Sequence, residues 1–524
     1  MAIAGIPLSA IALLLLTASV SILWSHYKLL RGDELYEMWT DSVSSVGQLV
    51  NIQLTCPIAL DPFAYHAIAH VAIGVLGANT FAIRLPSLIG VLLMQICLFI
   101  FVRRIATERA AIFALGFPAL TCVMGYSMEG RPYGLMLGFF GLAMVSWQSA
   151  TLRETGRSFA LVTLTLAIAL CINTHYFGIL LLAPICVAEL VRTIQRRRLD
   201  IPLVASIGAG AAGIAAALPF MKAAKEFRGH YGLWDRLQIK DIGWDYLWTL
   251  ANHNSIKGAK IIDRGLFALV VILVGLSVWA FFLQMRRKTL PSIEPQGVFV
   301  LTLAGLPFFG YLLAFFASST LEARFVVGLV VGVAALTALG LFPLWRSERA
   351  EKLIIVTLFV AIGSTGIAHS YMERMAALRI RSSMALPPQV KAALMASPSK
   401  LLYIQDMENF GVAKFYEPDA EVRSRIVLVY SGDQEKKWNH ESVIALTADH
   451  LRSITHFTTI PYESLTAQTG DHIFVEYGGA EKPLGWNWIG REFLASHADV
   501  NQLGPAFCGN GEVMGNVESV RFVP

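Results

Sequence analysis

Residues 82–104, AIRLPSLIGVLLMQICLFIFVRR, decide what kind of protein this is. From Leu85 to Val102 the run is apolar on every side of a helix, interrupted only by Ser87 and Gln95, and it stops at Arg103-Arg104. A helix needs about 20 such residues, at a rise of roughly 1.5 Å each, to cross the hydrocarbon of a bilayer. The basic pair that ends the run is what a headgroup layer accepts.

The same pattern recurs along the chain. Spans are expected near 8–26, 82–102, 110–127, 131–150, 158–174, 176–191, 201–220, 264–285, 297–317, 324–345 and 352–370, about eleven transmembrane helices in all. Only 15% of the 524 residues are charged against 55% hydrophobic, and the mean hydropathy is +0.57. The fold class is therefore a polytopic α-helical membrane protein, and a soluble globule is excluded. The net charge of +5 comes from short clusters between the runs, with no basic, aromatic-interleaved surface of the kind that binds nucleic acid.

Those clusters set an expected orientation. Arg103-Arg104 with Arg109, Arg153 with Arg157, Arg192 with Arg196-Arg197-Arg198, Arg286-Arg287-Lys288, and Arg346 with Arg349 and Lys352 are each separated by material for two crossings. All five can face the cytoplasm, which puts the N-terminus inside and the C-terminal domain outside a cell (inner) membrane. Lys28 and Arg31 argue locally for the reverse and are outvoted. Phe63 to Asn79, broken by Gly74 and Gly77, is expected to lie along the outer interface. The first apolar run has no basic residue before it and reads as a retained helix.

Cys97, Cys122, Cys171 and Cys186 fall inside apolar runs as small hydrophobes, and a Cys56–Cys508 disulfide is compatible with the outer side. Gly208-Ala209-Gly210 and Gly213 lie within a span and signal close helix packing, not a phosphate loop.

With this topology Asp33, Glu34, Asp61, His66, Glu129, Arg131, His175, Glu322 and Arg324 all fall on the outer side, although hundreds of residues apart. They are expected to converge on one cavity at the outer boundary, because charge near lipid is costly and collects where it is used.

At these positions the chain resembles a known family. Gly32-Asp33-Glu34-Leu35-Tyr36, Asp61-Pro62-Phe63-Ala64-Tyr65, Arg84-Leu85-Pro86-Ser87, Glu129-Gly130-Arg131-Pro132-Tyr133, Thr174-His175-Tyr176-Phe177-Gly178 and Glu322-Ala323-Arg324-Phe325 are similar to the serial landmarks of the protein O-mannosyltransferase and aminoarabinose-transferase superfamily, membrane glycosyltransferases of the GT-C fold. The resemblance covers roughly residues 1–370. It implies a polyprenyl-phosphate-linked sugar as donor and a lipid, glycan or protein acceptor on the extracytoplasmic face. Asp61-Pro62-Phe63 departs from the His or Lys followed by two prolines common in relatives, and Arg324-Phe325 from their Arg-Tyr.

The chemistry makes its own demands. Displacing phosphate from an anomeric carbon needs a base for the acceptor's proton and cations for the leaving phosphate. Asp33, expected to be partly desolvated, is the candidate base with Glu34 supporting it. Arg131 and Arg324 are the phosphate candidates, since guanidinium stays charged and grips phosphate through paired hydrogen bonds. The bland alternative for both is a snorkelling interfacial ion pair. Asp61, His66, Glu129, Tyr133, His175 and Tyr176 are assigned to substrate contacts. For His175 the competing reading is a packed interfacial histidine. His66 and His70 are one helical turn apart without a further ligand at clear spacing, so no metal and no cofactor is assigned, although a divalent ion is compatible.

The outer loop 222–263 is rich in aromatic and basic residues, including Arg228, His230, Trp234, Lys240, Trp244, Trp248 and His253. It suits either an interfacial anchor or a lid over a lipid-linked sugar, with Arg228 or Lys240 near the donor phosphate. Beyond Tyr371 the composition turns polar. Leu401–Ile404, Ile426–Tyr430 and His472–Tyr477 read as strands, with helix near Pro388–Met395 and Trp488–Ser496, giving a soluble extracytoplasmic α/β domain over 371–524 after a transmembrane domain over 1–370. The rival function is a lipid or solute transporter whose charges line a permeation path; no pair of repeated halves with interrupted helices supports it.

Overall fold

The computed structural model describes residues 6–30, 32–152, 155–228, 230, 237–251, 260–286, 294–318, 320–341, 348–384, 388–455, 457–467, 470–477, 498–507 and 513–522. The expected helix at Trp488–Ser496, Cys508, Trp234 and His253 lie outside these. Cys56 is a free thiol. The chain forms two compact units: Met1–His26, Asp61–Pro219 and Asp235–Ser370 make the first, and Tyr27–Leu60, Phe220–Trp234 and Tyr371–Pro524 the second.

The first unit is a helical bundle. Eight helices among the described residues are long and apolar enough to cross a membrane: Leu8–Tyr27, Thr80–Ile105, Tyr133–Leu152, Arg157–Thr174, Tyr176–Arg196, Ile201–Arg228, Ile261–Leu283 and Lys352–Met375. Their outward faces are greasy, with Leu15, Phe159, Val162, Val271, Trp279 and Phe281 all exposed, as helices solvated by lipid require.

Three of the expected spans take other shapes. Residues 110–127 become the helix Glu108–Gly116, a 3-10 turn Phe117–Leu120 and a short helix Val123–Tyr126; Pro118 has no N–H to donate and ends the regular ladder. Residues 297–317 become Pro295–Ala304 and Leu306–Phe316, bent by 59° at Gly305 before Pro307. Residues 324–345 yield a 3-10 turn Ala323–Val326 and a 13-residue helix Leu329–Leu341.

Close backbone approach holds the bundle. Thr80–Ile105 and Tyr133–Leu152 cross through glycines: a Cβ at Gly90 would sit 2.2 Å from the Gly134 carbonyl oxygen, so neither position admits a side chain. Gly210 and Gly213 pack in the same way, against Ile168 and Ala169, whereas Gly208 faces open space. Arg84 is buried, and its guanidinium donates to the Ser25 carbonyl at 2.8 Å, which satisfies a charge that lipid would otherwise penalise.

In the second unit six strands, β1 (Leu402–Ile404), β2 (Ile426–Tyr430), β3 (Thr459–Pro461), β4 (Gly470–Tyr477), β5 (Ala498–Phe507) and β6 (Val513–Phe522), form one sheet in the order β3-β2-β1-β4-β6-β5. The first four are parallel and β6 and β5 antiparallel, with Pro461 confined to an edge, where a missing donor costs least. The run Ile426–Tyr430, buried at every position but the last, is what a parallel strand covered on both faces needs. The helix Asp33–Asp41 belongs to this unit and lays Tyr36 and Trp39 against the core of Phe410, Leu428 and Leu451. Leu30 N–H donates to the Tyr416 hydroxyl at 2.6 Å just ahead of it.

Candidate functional site

Four chain turns of the first unit meet at one end of the bundle. Asp61-Pro62 precedes the helix Phe63–Leu76, Glu129 to Pro132 precede Tyr133–Leu152, His175 caps Arg157–Thr174, and Glu322 opens the 3-10 turn Ala323–Val326. Two of these segments enter a helix at its N-terminus, where unsatisfied N–H groups favour anions.

His175 is the hub. Its Nδ1 accepts from the Phe177 N–H at 3.2 Å, and its Nε2 lies 3.7 Å from Asp61 Oδ1. Burial drives its pKa down to about 4, Asp61 opposing and Arg324 and Arg131 reinforcing the shift. The imidazole is thus neutral near pH 7, and with Nδ1 accepting, its single proton sits on Nε2 toward Asp61. The Asp61 contact is for that reason a polar contact with a neutral ring and not an ion pair. Arg131 and Arg324 share this neighbourhood, since each lies over a ring, Tyr133 and Phe325 respectively, that packs against the imidazole.

Aromatic rings frame this hub. Tyr133 and Phe325 lie 5.2 and 5.4 Å from the imidazole, Phe325 stacks on Phe177 at 4.4 Å, and Tyr126 sits 5.0 Å from Tyr133. Arg131 lies over the Tyr133 ring at 5.1 Å and donates to its hydroxyl at 3.3 Å. Arg324 pairs with Glu322 at 2.7 Å. The Tyr176 hydroxyl, within electrostatic reach of Asp61, is buried and has no hydrogen-bond partner among the described residues.

Beside the hub is a cavity of about 420 Å³ lined by Glu129, Glu322, Arg324 and one face of the helix Lys240–Leu250. That face carries Asp241, Trp244, Asp245 and Trp248, the i, i+3, i+4, i+7 spacing of a single helical stripe. The helix is fastened to the bundle by Tyr246, whose hydroxyl donates to the Ala304 carbonyl at 2.8 Å, and by Thr249, which donates to the Ala323 carbonyl at 3.3 Å. Asp245 is 3% exposed, and its Oδ2 has no partner among the described residues. Burial, with Asp241 and Glu322 adding to it, pushes its carboxyl up to about 7.

Of the sequence-predicted residues, the first unit gathers Asp61, Glu129, Arg131, Tyr133, His175, Tyr176 and Arg324 at this end. His66 belongs to the same unit, is fully buried and makes an edge contact with Tyr65 at 5.7 Å. Lys240 is exposed at the first turn of its helix. Asp33, Glu34 and Arg228 belong to the second unit. Asp33 is exposed, and the desolvation expected of it is found at Glu34 instead, which is buried with Lys28 Nζ at 4.0 Å. The reason is backbone geometry. Gly32 takes φ +51°, a conformation open to glycine, and starts the helix so that Asp33 stands at its first position while Glu34 turns inward. Asp241 and Asp245 escaped the sequence reading; the four-position stripe that carries them was the available signal.

A sequence profile for dolichyl-phosphate-mannose-protein mannosyltransferases matches residues 61–221, which hold Asp61, Glu129, Arg131 and His175. Among solved structures the chain is similar to apo ArnT from Cupriavidus metallidurans, with a TM-score of 0.57 and 12% identity over 97% of each chain. The chain has the GT-C glycosyltransferase fold. The same ArnT with undecaprenyl phosphate bound gives a TM-score of 0.53 at 13% identity, again over 97% of each chain. The Archaeoglobus fulgidus oligosaccharyltransferase in complex with Zn and sulfate reaches 0.46 at 11% identity, covering 88% of this chain and 68% of that one. No curated protein sequence matches the chain significantly.

Proposed function

We propose that this GT-C protein transfers a sugar from a polyprenyl phosphate to an acceptor on the extracytoplasmic face of the membrane, by a single inverting displacement. In this reading Asp33 removes the acceptor hydroxyl's proton, the acceptor oxygen bonds to the anomeric carbon, and the bond from that carbon to the phosphate oxygen breaks. The electron pair leaves with polyprenyl phosphate, whose charge Arg131 and Arg324 hold.

The observation that carries the reading is that Arg131 and Arg324 lie over Tyr133 and Phe325, the two rings that pack against His175, at one end of an apolar bundle. A neutral His175 adds no charge of its own, and with its Nε2 proton toward Asp61 it suits the orientation of that carboxylate for a sugar hydroxyl. Further support is the solved relative of the same fold that holds undecaprenyl phosphate. A lipid or solute transporter would instead be expected to keep its substrate-binding groups near the bilayer midplane.

The test is release of polyprenyl phosphate from polyprenyl-phosphate sugars by the purified protein. Asp33→Asn is expected to lower turnover by 100-fold or more with an unchanged melting temperature, since Asp33 is exposed. Undiminished turnover in that variant removes Asp33 as the base.

A further inference from the structure

The cavity beside the His175 hub has a composition that phosphate binding does not explain. Among the described lining residues four carboxylates, from Glu129, Asp241, Asp245 and Glu322, meet one guanidinium, that of Arg324, which already pairs with Glu322. Carboxylates thus outnumber guanidiniums along this wall, which suits a neutral group better than an anion. Two indoles, Trp244 and Trp248, stand about half exposed on the same helical face. A flat indole beside a hydrogen-bond acceptor is the pairing that an amphipathic ring with apolar C–H faces and an equatorial rim of hydroxyls fits. The buried Oδ2 of Asp245 lacks a protein donor among the described residues, and such an atom asks for one from a ligand. At about 420 Å³ the space lies within the roughly 300–1,000 Å³ of small-molecule sites.

We propose that this cavity is a subsite for an uncharged sugar ring, in which Asp245 accepts hydrogen bonds from ring hydroxyls, Trp248 packs on the ring's apolar face, and the surrounding carboxylates exclude anionic sugars. The assignment rests on the transferase reading and deepens it, since it makes Asp245 a specificity-determining residue. The ring can belong to the donor or to a glycan acceptor; the chemistry of recognition is the same.

The experiment measures binding and needs no turnover, so it stands apart from the failure or success of the transferase assay. Full-length protein in detergent is titrated with a neutral methyl hexopyranoside and with its 6-carboxylate counterpart, followed by saturation-transfer NMR. The wild type is expected to bind the neutral glycoside at least about tenfold more tightly than the acidic one, because like charges brought together at a site repel. Asp245→Asn keeps the side-chain shape and removes the acceptor carboxylate, and is expected to weaken the neutral glycoside several-fold while Glu129, Asp241 and Glu322 maintain the preference for it over the acidic one. Trp248→Ala, at a half-exposed position, is expected to weaken the neutral glycoside several-fold. Equal wild-type affinity for both glycosides, no saturable binding of the neutral one, or binding untouched by both substitutions overturns the proposal. In turnover assays with a polyprenyl-phosphate hexose, a higher KM for the donor alone in Asp245→Asn assigns the ring to the donor, and a higher KM for the acceptor alone assigns it to the acceptor. Either outcome supports the subsite.

Discussion

The helix Arg157–Thr174 joins two clusters of charge about 27 Å apart, at a rise of 1.5 Å per residue. At its start Arg157 closes on Asp200, which also receives Arg192 at 3.0 Å and Arg196 at 3.7 Å, while Arg192 turns to Glu189 at 2.8 Å. At its end stand a neutral His175, the two guanidiniums that act on it, and Asp245 with a buried oxygen that no described residue satisfies. The first cluster ties three guanidiniums to one carboxylate and behaves as a clamp on helix ends, although its Glu189 Oε2 also lacks a hydrogen-bond partner among the described residues. The second sets its unsatisfied oxygen in the wall of a cavity, where a ligand can supply the missing donor.

The sharpest way to break that contrast is to substitute one arginine of the second cluster. Arg324→Met is expected to lower sugar transfer by 100- to 1,000-fold, the usual loss when one stabilising donor is removed from a developing charge. The melting temperature should stay within a few degrees, because Arg324 is about one-third exposed. Full transfer in this variant would reduce the arginine to a surface ion pair.

The clamp should show the opposite split. Asp200→Asn leaves Arg157, Arg192 and Arg196 without their shared carboxylate, and is expected to cost about 3 kcal/mol of stability while transfer per folded molecule is unchanged. Thermal unfolding followed by tryptophan fluorescence, with activity normalised to folded protein, separates the two effects. A loss of transfer without a loss of stability would erase the distinction between the ends.

The smallest effect sharpens the comparison through pH. Asp245 titrates near 7 in the folded protein against 3.8 as a free side chain, so between those values the folded state binds the extra proton. Its contribution therefore opposes folding increasingly as pH rises from about 4 to 7, and is relieved as pH falls. The groups facing it are Asp241, Glu322 and Glu129, with Arg324 as the compensating cation. Asp245→Asn is expected to melt a few degrees above the wild type at pH 8 and level with it at pH 4.5. A variant less stable at both values would mean that the carboxylate is held by partners it does not need a ligand to replace.

Much of this was legible in one dimension. Arg131, His175 and Arg324 each flank an apolar run, and a charged residue there stands out against a greasy background. The break at Pro118 and the bend before Pro307 were equally present as residues, yet a hydropathy window averages over them and draws straight spans. Asp245 was hidden by its neighbours, because Trp244, Tyr246 and Trp248 mark the segment as an aromatic anchor and only the helical stripe separates the carboxylate from them. Least legible was the packing of Tyr36 and Trp39 on Phe410 and Leu451. Two short segments almost 400 residues apart leave no periodic trace of one another, so the segment that bears Asp33 reads as a loop although it is folded onto the sheet unit. Gly32 alone hinted at it, since a turn open to glycine is what starts a helix so abruptly.

The bend at Gly305 frees the carbonyl of Ala304 from the helical ladder, and Tyr246 supplies its donor. In hydrocarbon an orphaned peptide oxygen is expensive. Pulling the Lys240–Leu250 segment away from the bundle would strand that oxygen, so the kink itself ties down the wall of the pocket.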